Sequence, residues 1–539
     1  MAELTVIEQV RNEVDEHRSF LVEAGAGSGK THTLIQTLRH LLDHRRKDYQ
    51  RDHRRIVCIT YTNVAKDEII ERLADPIVEV RTIHEFLWSV IEPYQDALHA
   101  GVTEMYKPRR PEDPETVPPG VSIQYVERGR YLAEGKISHD DVLALAHRLV
   151  TASPKLKRVI ADRFPVILVD EYQDTAKSTV ELLLDHVAGA GHTTCVIGLF
   201  GDSMQKIYQK GIGAVSRDWL TRIPKHENYR SSEAVIALLN KMRPELPQHS
   251  AGASWEGETH LLLLRDTPAE QRLDAAYEVL RASGWKPEKA KHLLLTHRSI
   301  AGTLKYGTLL ALFTRIRRRD DLLDGSNPYA AYLLEIESLC TAYTVNDHAT
   351  LSHILGDRTS MIKRHEDKAR IGRTMDDLLR LRSTGTIGQV IAHADATLLP
   401  RPSKVQTPKQ AAAVTEPNDR DLQKADFVRE LWEINYSEVA ALAEYRNKHT
   451  PFTTQHGVKG DEFDDVLVII DDKAWSLYNM NEMLANPQLE KDRVDRSRNL
   501  FYVCCSRARQ RLAVLFLTDL SDSAERTARD WFSAGTVHA

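Results

Sequence analysis

The residues of this chain best suited to hold a phosphate are Ala24-Gly25-Ala26-Gly27-Ser28-Gly29-Lys30-Thr31. Glycines let several backbone N–H groups converge on one phosphate oxygen cluster. The run follows an apolar stretch, Ser19–Val22, and precedes Leu34, Ile35, Leu38, Leu41 and Leu42 at helical spacing. A strand, a tight turn and a helix N-terminus are therefore expected, which is the setting such a loop needs. There Lys30 would reach β- and γ-phosphate oxygens, and Thr31 would ligate Mg²⁺. The opening position, usually Gly, is Ala24 here. A second group lies at Val166-Ile167-Leu168-Val169-Asp170-Glu171, two carboxylates at the carboxyl end of an apolar run. Ligands sit at that end of strands in open α/β sheets. Asp170 suits a hold on Mg²⁺, and Glu171 suits orienting and deprotonating a water. Either feature alone could be an ordinary turn, but together they read as nucleotide hydrolysis.

Around these residues, seven short apolar runs alternate with helical patterns. They cover residues 19–22, 55–60, 166–169, 194–199, 292–295, 466–470 and 512–516. Buried strands alternating with helices indicate parallel α/β sheets, four strands before residue 221 and three after 290, hence two α/β cores. Residues 107–120 hold five Pro and read as a loop. Residues 300–445 read as a helical insertion, interrupted by a breaker from Pro400 to Pro417.

The whole chain has 539 residues, 42% hydrophobic and 28% charged, which excludes global disorder. With 72 Lys and Arg against 77 Asp and Glu the net charge is −5, so a uniformly basic, histone-like protein is excluded. A nucleic-acid surface must be a local basic groove. The five Cys show no CxxC spacing, which argues against a disulfide framework or zinc and fits a reducing, cytoplasmic location. The start, MAELTVIEQV, lacks signal-peptide order, and no apolar run reaches the ~18 residues of a membrane span.

Further strings follow in a fixed order. They are Thr60-Tyr61-Thr62-Asn63-Val64-Ala65, Arg81-Thr82-Ile83-His84-Glu85-Phe86, Ile137-Ser138-His139-Asp140-Asp141-Val142-Leu143, Asp170-Glu171-Tyr172-Gln173-Asp174-Thr175 and Gly201-Asp202-Ser203-Met204-Gln205. After them come Asn228-Tyr229-Arg230-Ser231, His456-Gly457-Val458-Lys459-Gly460-Asp461-Glu462-Phe463 and Phe501-Tyr502-Val503-Cys504-Cys505-Ser506-Arg507-Ala508. In content and order they resemble the motifs of superfamily 1A helicases, the group of UvrD, Rep and PcrA. The resemblance implies two RecA-like cores, the first from residues 1–88 and 161–221, the second from 222–300 and 446–539. Residues 89–160 and 301–445 would be inserted helical domains.

By resemblance, Gln9 would read adenine, Tyr229 would stack on it, Gln205 would sense the γ-phosphate, and Arg230 and Arg507 would touch that phosphate. Glu462 would be a further nucleotide contact. ATP would then be clasped by both cores, with Mg²⁺ as cofactor. Tyr61, Thr62, Asn63, His84 and His456 would contact DNA. The implied activity is ATP-driven 3′→5′ movement on single-stranded DNA or at DNA junctions. A P-loop kinase gives no account of Arg230, Arg507 or the motif order.

Two departures bear on this. The family usually carries a stacking Trp shortly after the Tyr matching Tyr208, whereas here Gln209-Lys210-Gly211-Ile212-Gly213-Ala214 follows. The insertions are also short. Both favour, as an alternative, a DNA-sensing ATPase subunit with little unwinding of its own. The compact length resembles the helicase subunit of the Gabija phage-defence system, which works beside an OLD-type nuclease, and that implies such a nuclease as partner. Two arginine-rich runs, Arg45–Arg55 and Arg315–Arg319, are further candidates for phosphate contact; the first reads more simply as a solvated helix end.

Overall fold

The computed structural model describes residues 4–60, 62–107, 117–127, 129–188, 195–207, 211–252, 255–356, 365–415, 417–455, 457–474, 476–489 and 491–539. Strands β1 (Phe20–Ala24), β2 (Ile56–Thr60), β3 (Val78–Thr82), β4 (Val166–Asp170), β5 (Val196–Gly201) and β6 (Thr221–Lys225) form a six-stranded sheet in the order β3-β2-β4-β5-β1-β6. Its pairings are all parallel, with Val22 opposite Phe200 and Cys58 opposite Leu168. The central strands β1, β2, β4 and β5 are buried at every residue, as runs of Phe, Val, Ile and Leu covered on both faces must be.

A second six-stranded sheet is built from β7 (Glu258–Leu262), β8 (Lys291–Leu294), β9 (Phe452–Thr454), β10 (Phe463–Ile470), β11 (Ala508–Phe516) and β12 (Thr536–His538), in the order β9-β8-β10-β11-β7-β12. The fold is thus α/β with two RecA-like parallel-sheet cores. The chain divides into two compact units. The first comprises Met1–Ala276, Val458–Val468 and Leu477–Ala539, and the second Tyr277–Gly457 and Ile469–Ser476.

Within the first unit, helix Lys30–Arg51 starts at Gly29, whose φ of 74° suits glycine, and it has no side-chain cap. Its first-turn N–H groups are left for another partner. The helix Ile83–Ile91, by contrast, is closed by a capping box between Thr82 and Glu85. The segment 89–160 is helical over Gln95–Met105 and His139–Ala152, with a small parallel pair, Gln124–Tyr125 against Lys136–Ile137. Within the second unit β8 and β9 pair in parallel, and helices run from His297 to Arg446. The Pro400–Pro417 breaker contains one short helix, Pro408–Ala412, capped by Thr407. All five cysteines are buried and unpaired. Among the described residues no helix is long and apolar enough to cross a membrane.

Within the two six-stranded sheets, five strands go beyond the seven expected: β3, β6, β7, β9 and β12. Four of these are sheet edges, where one side of the strand meets solvent and the continuous apolar run is lost. Strand β6 even carries Pro224, which only an edge tolerates well.

Candidate nucleotide site

The phosphate loop leaves β1 in the middle of the first sheet. Gly27 and Gly29 both adopt left-handed backbone, with φ of 71° and 74°. A Cβ on Gly27 would lie 2.6 Å from the Arg230 Cβ and 2.8 Å from the Asn228 side-chain oxygen, so only glycine fits there. The contact is made by the turn after β6. Asn228 Nδ2 donates to the Ala26 carbonyl at 3.0 Å, and the Tyr229 N–H donates to the Gly27 carbonyl at 2.9 Å. The Ala26 N–H donates to the Tyr502 hydroxyl at 3.2 Å. Ser28 Oγ is buried without a hydrogen-bond partner, a polar atom that a phosphate oxygen would satisfy.

These segments enclose a cavity of about 530 Å³, lined in part by Gly27, Ser28, Gly29, Tyr229, Arg230 and Glu462. Tyr229 is 56% exposed, an unusually bare aromatic for a residue beside a buried loop. Gln9 lies on the helix Val6–Asp15, whose Ile7 also lines the cavity; its Nε2 donates to the Leu4 carbonyl at 2.8 Å. Ala24 and Gly25 are buried at the base of the loop, and a Cβ on Gly25 would strike Gln248 at 2.5 Å. Lys30 and Thr31 occupy the first turn of the following helix.

Asp170 ends β4 and is buried. Burial and the neighbouring Glu171 charge raise its pKa, while Lys30 opposes the rise. Burial also pushes the Glu171 carboxyl up, but Lys30, Lys459, Gln173 and Arg507 outweigh it, so the net direction is down. Glu171 is held ionised, as a group that takes a proton from water must be. Its φ of 50° puts a non-glycine residue in left-handed backbone, a strain of the kind stored at functional turns. Gln173 Nε2 donates to the Glu171 carboxylate.

Gln205 follows β5. Its Nε2 donates to Asp202 at 2.8 Å, and its Oε1 accepts from Arg507 Nη2 at 3.3 Å. Arg507 is 1% exposed and is also held by the carbonyls of Val503 and Asp461. Burial, with the nearby charge of Arg230, lowers its pKa to about 10, which leaves the guanidinium charged at neutral pH. Arg230 donates Nε to Glu462 at 2.7 Å and Nη1 to the Ser506 carbonyl at 3.3 Å. Lys459 is ion-paired with the buried Asp174 and donates to the Gln205 carbonyl at 3.0 Å. Burial lowers its pKa to about 8.

A family model described as an AAA domain matches residues 7–210. The Gabija protein GajB of Bacillus cereus is 22% identical over 96% of this chain and 95% of its own length. The ATP-dependent DNA helicase PcrA of Staphylococcus aureus is 23% identical over 48% of this chain and 43% of its own. The ATP-dependent DNA helicase Rep of Escherichia coli is 26% identical over 41% of this chain and 40% of its own. The chain is UvrD/Rep/PcrA-like and resembles GajB. It is a helicase-like, ATP-hydrolysing enzyme.

In this helicase-like chain the DNA candidates of the first unit are only partly gathered. Tyr61 lies outside the described residues, as does Tyr208. In the second unit, His456 does too. Thr62 and Asn63 are exposed, and Thr62 caps the helix Asn63–Leu73 through the Ala65 N–H at 3.2 Å. His84 is half-buried, its ring 4.3 Å from that of His139, which in turn packs on Tyr125. Burial and His139 lower its pKa to about 4, so it is neutral at physiological pH.

Several site residues carry no flag in the sequence. Asn228, read only as part of its string, splints the loop, with its Oδ1 accepting the Arg230 and Ser231 N–H groups at 2.9 Å each. Lys225 packs 5.7 Å from the Tyr229 ring centroid and pairs with Glu227. Glu23 and Arg243, both 2% exposed, are ion-paired beneath the loop. The visible signal for Glu23 is a lone carboxylate in the otherwise apolar run Phe20–Ala24.

Proposed function

We propose that this protein is a DNA-dependent ATPase that translocates 3′→5′ on single-stranded DNA and opens duplex ahead of it. The observation that carries the reading is the 530 Å³ cavity. There the phosphate loop meets Tyr229, Arg230 and Glu462, residues two hundred to more than four hundred positions away in sequence. Thr31 and Asp170 would hold Mg²⁺, whose chemistry is to neutralise phosphate charge and polarise the γ-phosphoryl group. Lys30 binds the β- and γ-phosphate oxygens. Glu171 orients and deprotonates the attacking water, Gln205 senses the γ-phosphate, and Arg230 and Arg507 stabilise the charge that develops on it. Arg230 must exchange Glu462 for phosphate to do so, and that exchange makes its position dependent on the nucleotide state.

DNA binding on the second unit is supported by a cavity of about 850 Å³ lined by Thr296, Arg298, Arg315, Arg319 and Thr454. Arg298 is exposed. Arg315 pairs with Glu430 at 2.8 Å and Arg319 with Asp320 at 2.9 Å, surface pairs that a phosphate can displace.

A second reading is favoured by the near-complete overlap with GajB and by the absence of an aromatic between Gln209 and Ala214. In it the protein is the DNA-sensing ATPase subunit of an anti-phage assembly, acting with a nuclease and unwinding little by itself. One experiment separates the readings. ATPase is measured with and without single-stranded DNA, and strand separation is followed on 3′- and 5′-tailed duplexes. Stimulation with unwinding of the 3′-tailed duplex supports the first reading, and stimulation alone supports the second. ATPase indifferent to DNA overturns both.

A further inference from the structure

Three charges meet under the phosphate loop, two of them, Glu23 and Arg243, outside every motif string. Glu23 is the penultimate residue of β1, Asp202 follows β5 directly, and Arg243 caps the C-terminus of the helix Glu233–Met242. Their side chains are 3%, 0% and 2% exposed. Arg243 Nη2 lies 2.6 Å from Glu23 Oε1, and Nη1 lies 2.5 Å from Asp202 Oδ1. The same guanidinium stands 5.9 Å from the Tyr502 ring centroid. We infer that Arg243 is a positioning residue for ATP hydrolysis, locking the turn that carries Gln205 to the strand that carries the phosphate loop.

The inference rests on the role given to Gln205 above, and the hydrogen bonds show how the lock works. Asp202 divides its two oxygens: Oδ1 takes Arg243 and the Met204 N–H at 3.0 Å, and Oδ2 takes Gln205 Nε2 at 2.8 Å. With its NH₂ committed to Asp202, the Gln205 amide presents its oxygen to Arg507. Glu23 divides likewise. Its Oε1 accepts from Arg243, the Ser203 N–H and the Ser203 hydroxyl, and its Oε2 accepts from the Tyr172 hydroxyl at 2.7 Å. One guanidinium thus ties together β1, the turn after β5 and the turn after β4. Through Tyr502, whose hydroxyl takes the Ala26 N–H, it also reaches the helix preceding Arg507.

Energetics point the same way. Burying one cation with two anions costs heavily in desolvation, and an apolar trio of the same volume would hold the fold as well or better. What the charged trio supplies is direction. A planar guanidinium holds two carboxylates in one fixed fork, a direction that a freely rotating ammonium does not impose.

Arg243→Lys tests this, because it keeps the buried positive charge but lacks the planar fork that orients both carboxylates. The variant is expected to retain cooperative melting and to bind a fluorescent ATP analogue with Mg²⁺ within about threefold of wild type, while kcat falls by ~10², the scale for slight misplacement of a catalytic group. The deciding measurement is the cycle with Gln205→Ala. In the Arg243→Lys background Gln205→Ala should cost little more, since the amide is already misdirected. Wild-type kcat in Arg243→Lys, or losses that multiply as for independent sites, overturns the inference. Should Arg243→Lys fail to fold, Glu23→Gln, which keeps the volume and removes one ion pair, goes through the same cycle and decides by the same outcomes. Wild-type turnover in Gln205→Ala alone would overturn the role of Gln205 and the inference with it, whereas multiplying losses overturn only the inference.

Discussion

The nucleotide corner of the first unit and the cationic cavity of the second use positive charge in opposite ways. Around the phosphate loop Arg243 and Arg507 are buried and Lys459 is half-buried, and each is held by named carboxylates or carbonyls. In the second unit Arg298, Arg315 and Arg319 line an open cavity, and Arg315 and Arg319 pair with the surface acids Glu430 and Asp320. Buried, bonded charge is fixed in direction before any ligand arrives, which is what stabilising a transition state requires. Surface charge attracts any polyanion at a distance and is weakened by salt. The two regions therefore divide the proposed work, one for chemistry on a defined phosphate and the other for holding a polymer of phosphates.

The largest effect that would break the comparison is at Arg507. Arg507→Ala should retain binding of an ATP analogue while kcat falls by ~10³ or more, as for arginines that stabilise a transferring phosphoryl group. Single-turnover hydrolysis measures it, and wild-type turnover would remove Arg507 from the chemistry. Next is Glu171→Gln, nearly isosteric, for which kcat should drop ~10²–10⁴ with analogue affinity kept. Loss of affinity in step with kcat would make Glu171 a binding group instead.

The cavity of the second unit should respond to salt. Reversing Arg298, Arg315 and Arg319 to Glu should leave basal ATPase intact and weaken single-strand binding. It should also flatten the plot of log affinity against log salt by ~0.7 for each phosphate that is no longer neutralised. Fluorescence anisotropy across a salt series reads this, and an unchanged slope would separate the cavity from DNA.

The smallest effect is on stability. His292 is fully buried in the second unit, and burial lowers its pKa to about 4 against an ordinary 6.5, with the Pro287 carbonyl opposing. The unfolded chain binds that proton first, so stability is complete above pH 6.5 and declines as pH falls from 6.5 towards 4. Urea unfolding at pH 7 and pH 5 should differ by no more than about 2 kcal/mol from this group. The difference should shrink in His292→Gln, and equal pH sensitivity in that variant would assign the loss to other groups.

What the sequence yields here follows physical rules. The central strands are legible because burial on both faces forces unbroken runs such as Val166–Val169. The edges β3, β6, β9 and β12 carry no such run, and the Leu-rich β7 could equally be helix by periodicity. The phosphate loop and the acidic strand end are legible because their backbone constraints admit few residue types. Arg243 is not, since a lone arginine at a helix end is ordinarily solvated, and only the fold brings Glu23 and Asp202 to it.

The burial of Cys58, Cys195, Cys340, Cys504 and Cys505 has a practical side. Lack of solvent raises the thiols' pKa, to about 12 for Cys195 and Cys340, so in the native protein they are shielded from alkylating dyes and are scarcely ionised. A single cysteine placed on the surface would therefore take up a maleimide fluorophore against a dark background. Slow labelling of the five native thiols, in turn, would time the opening of the packed strands and helices that conceal them.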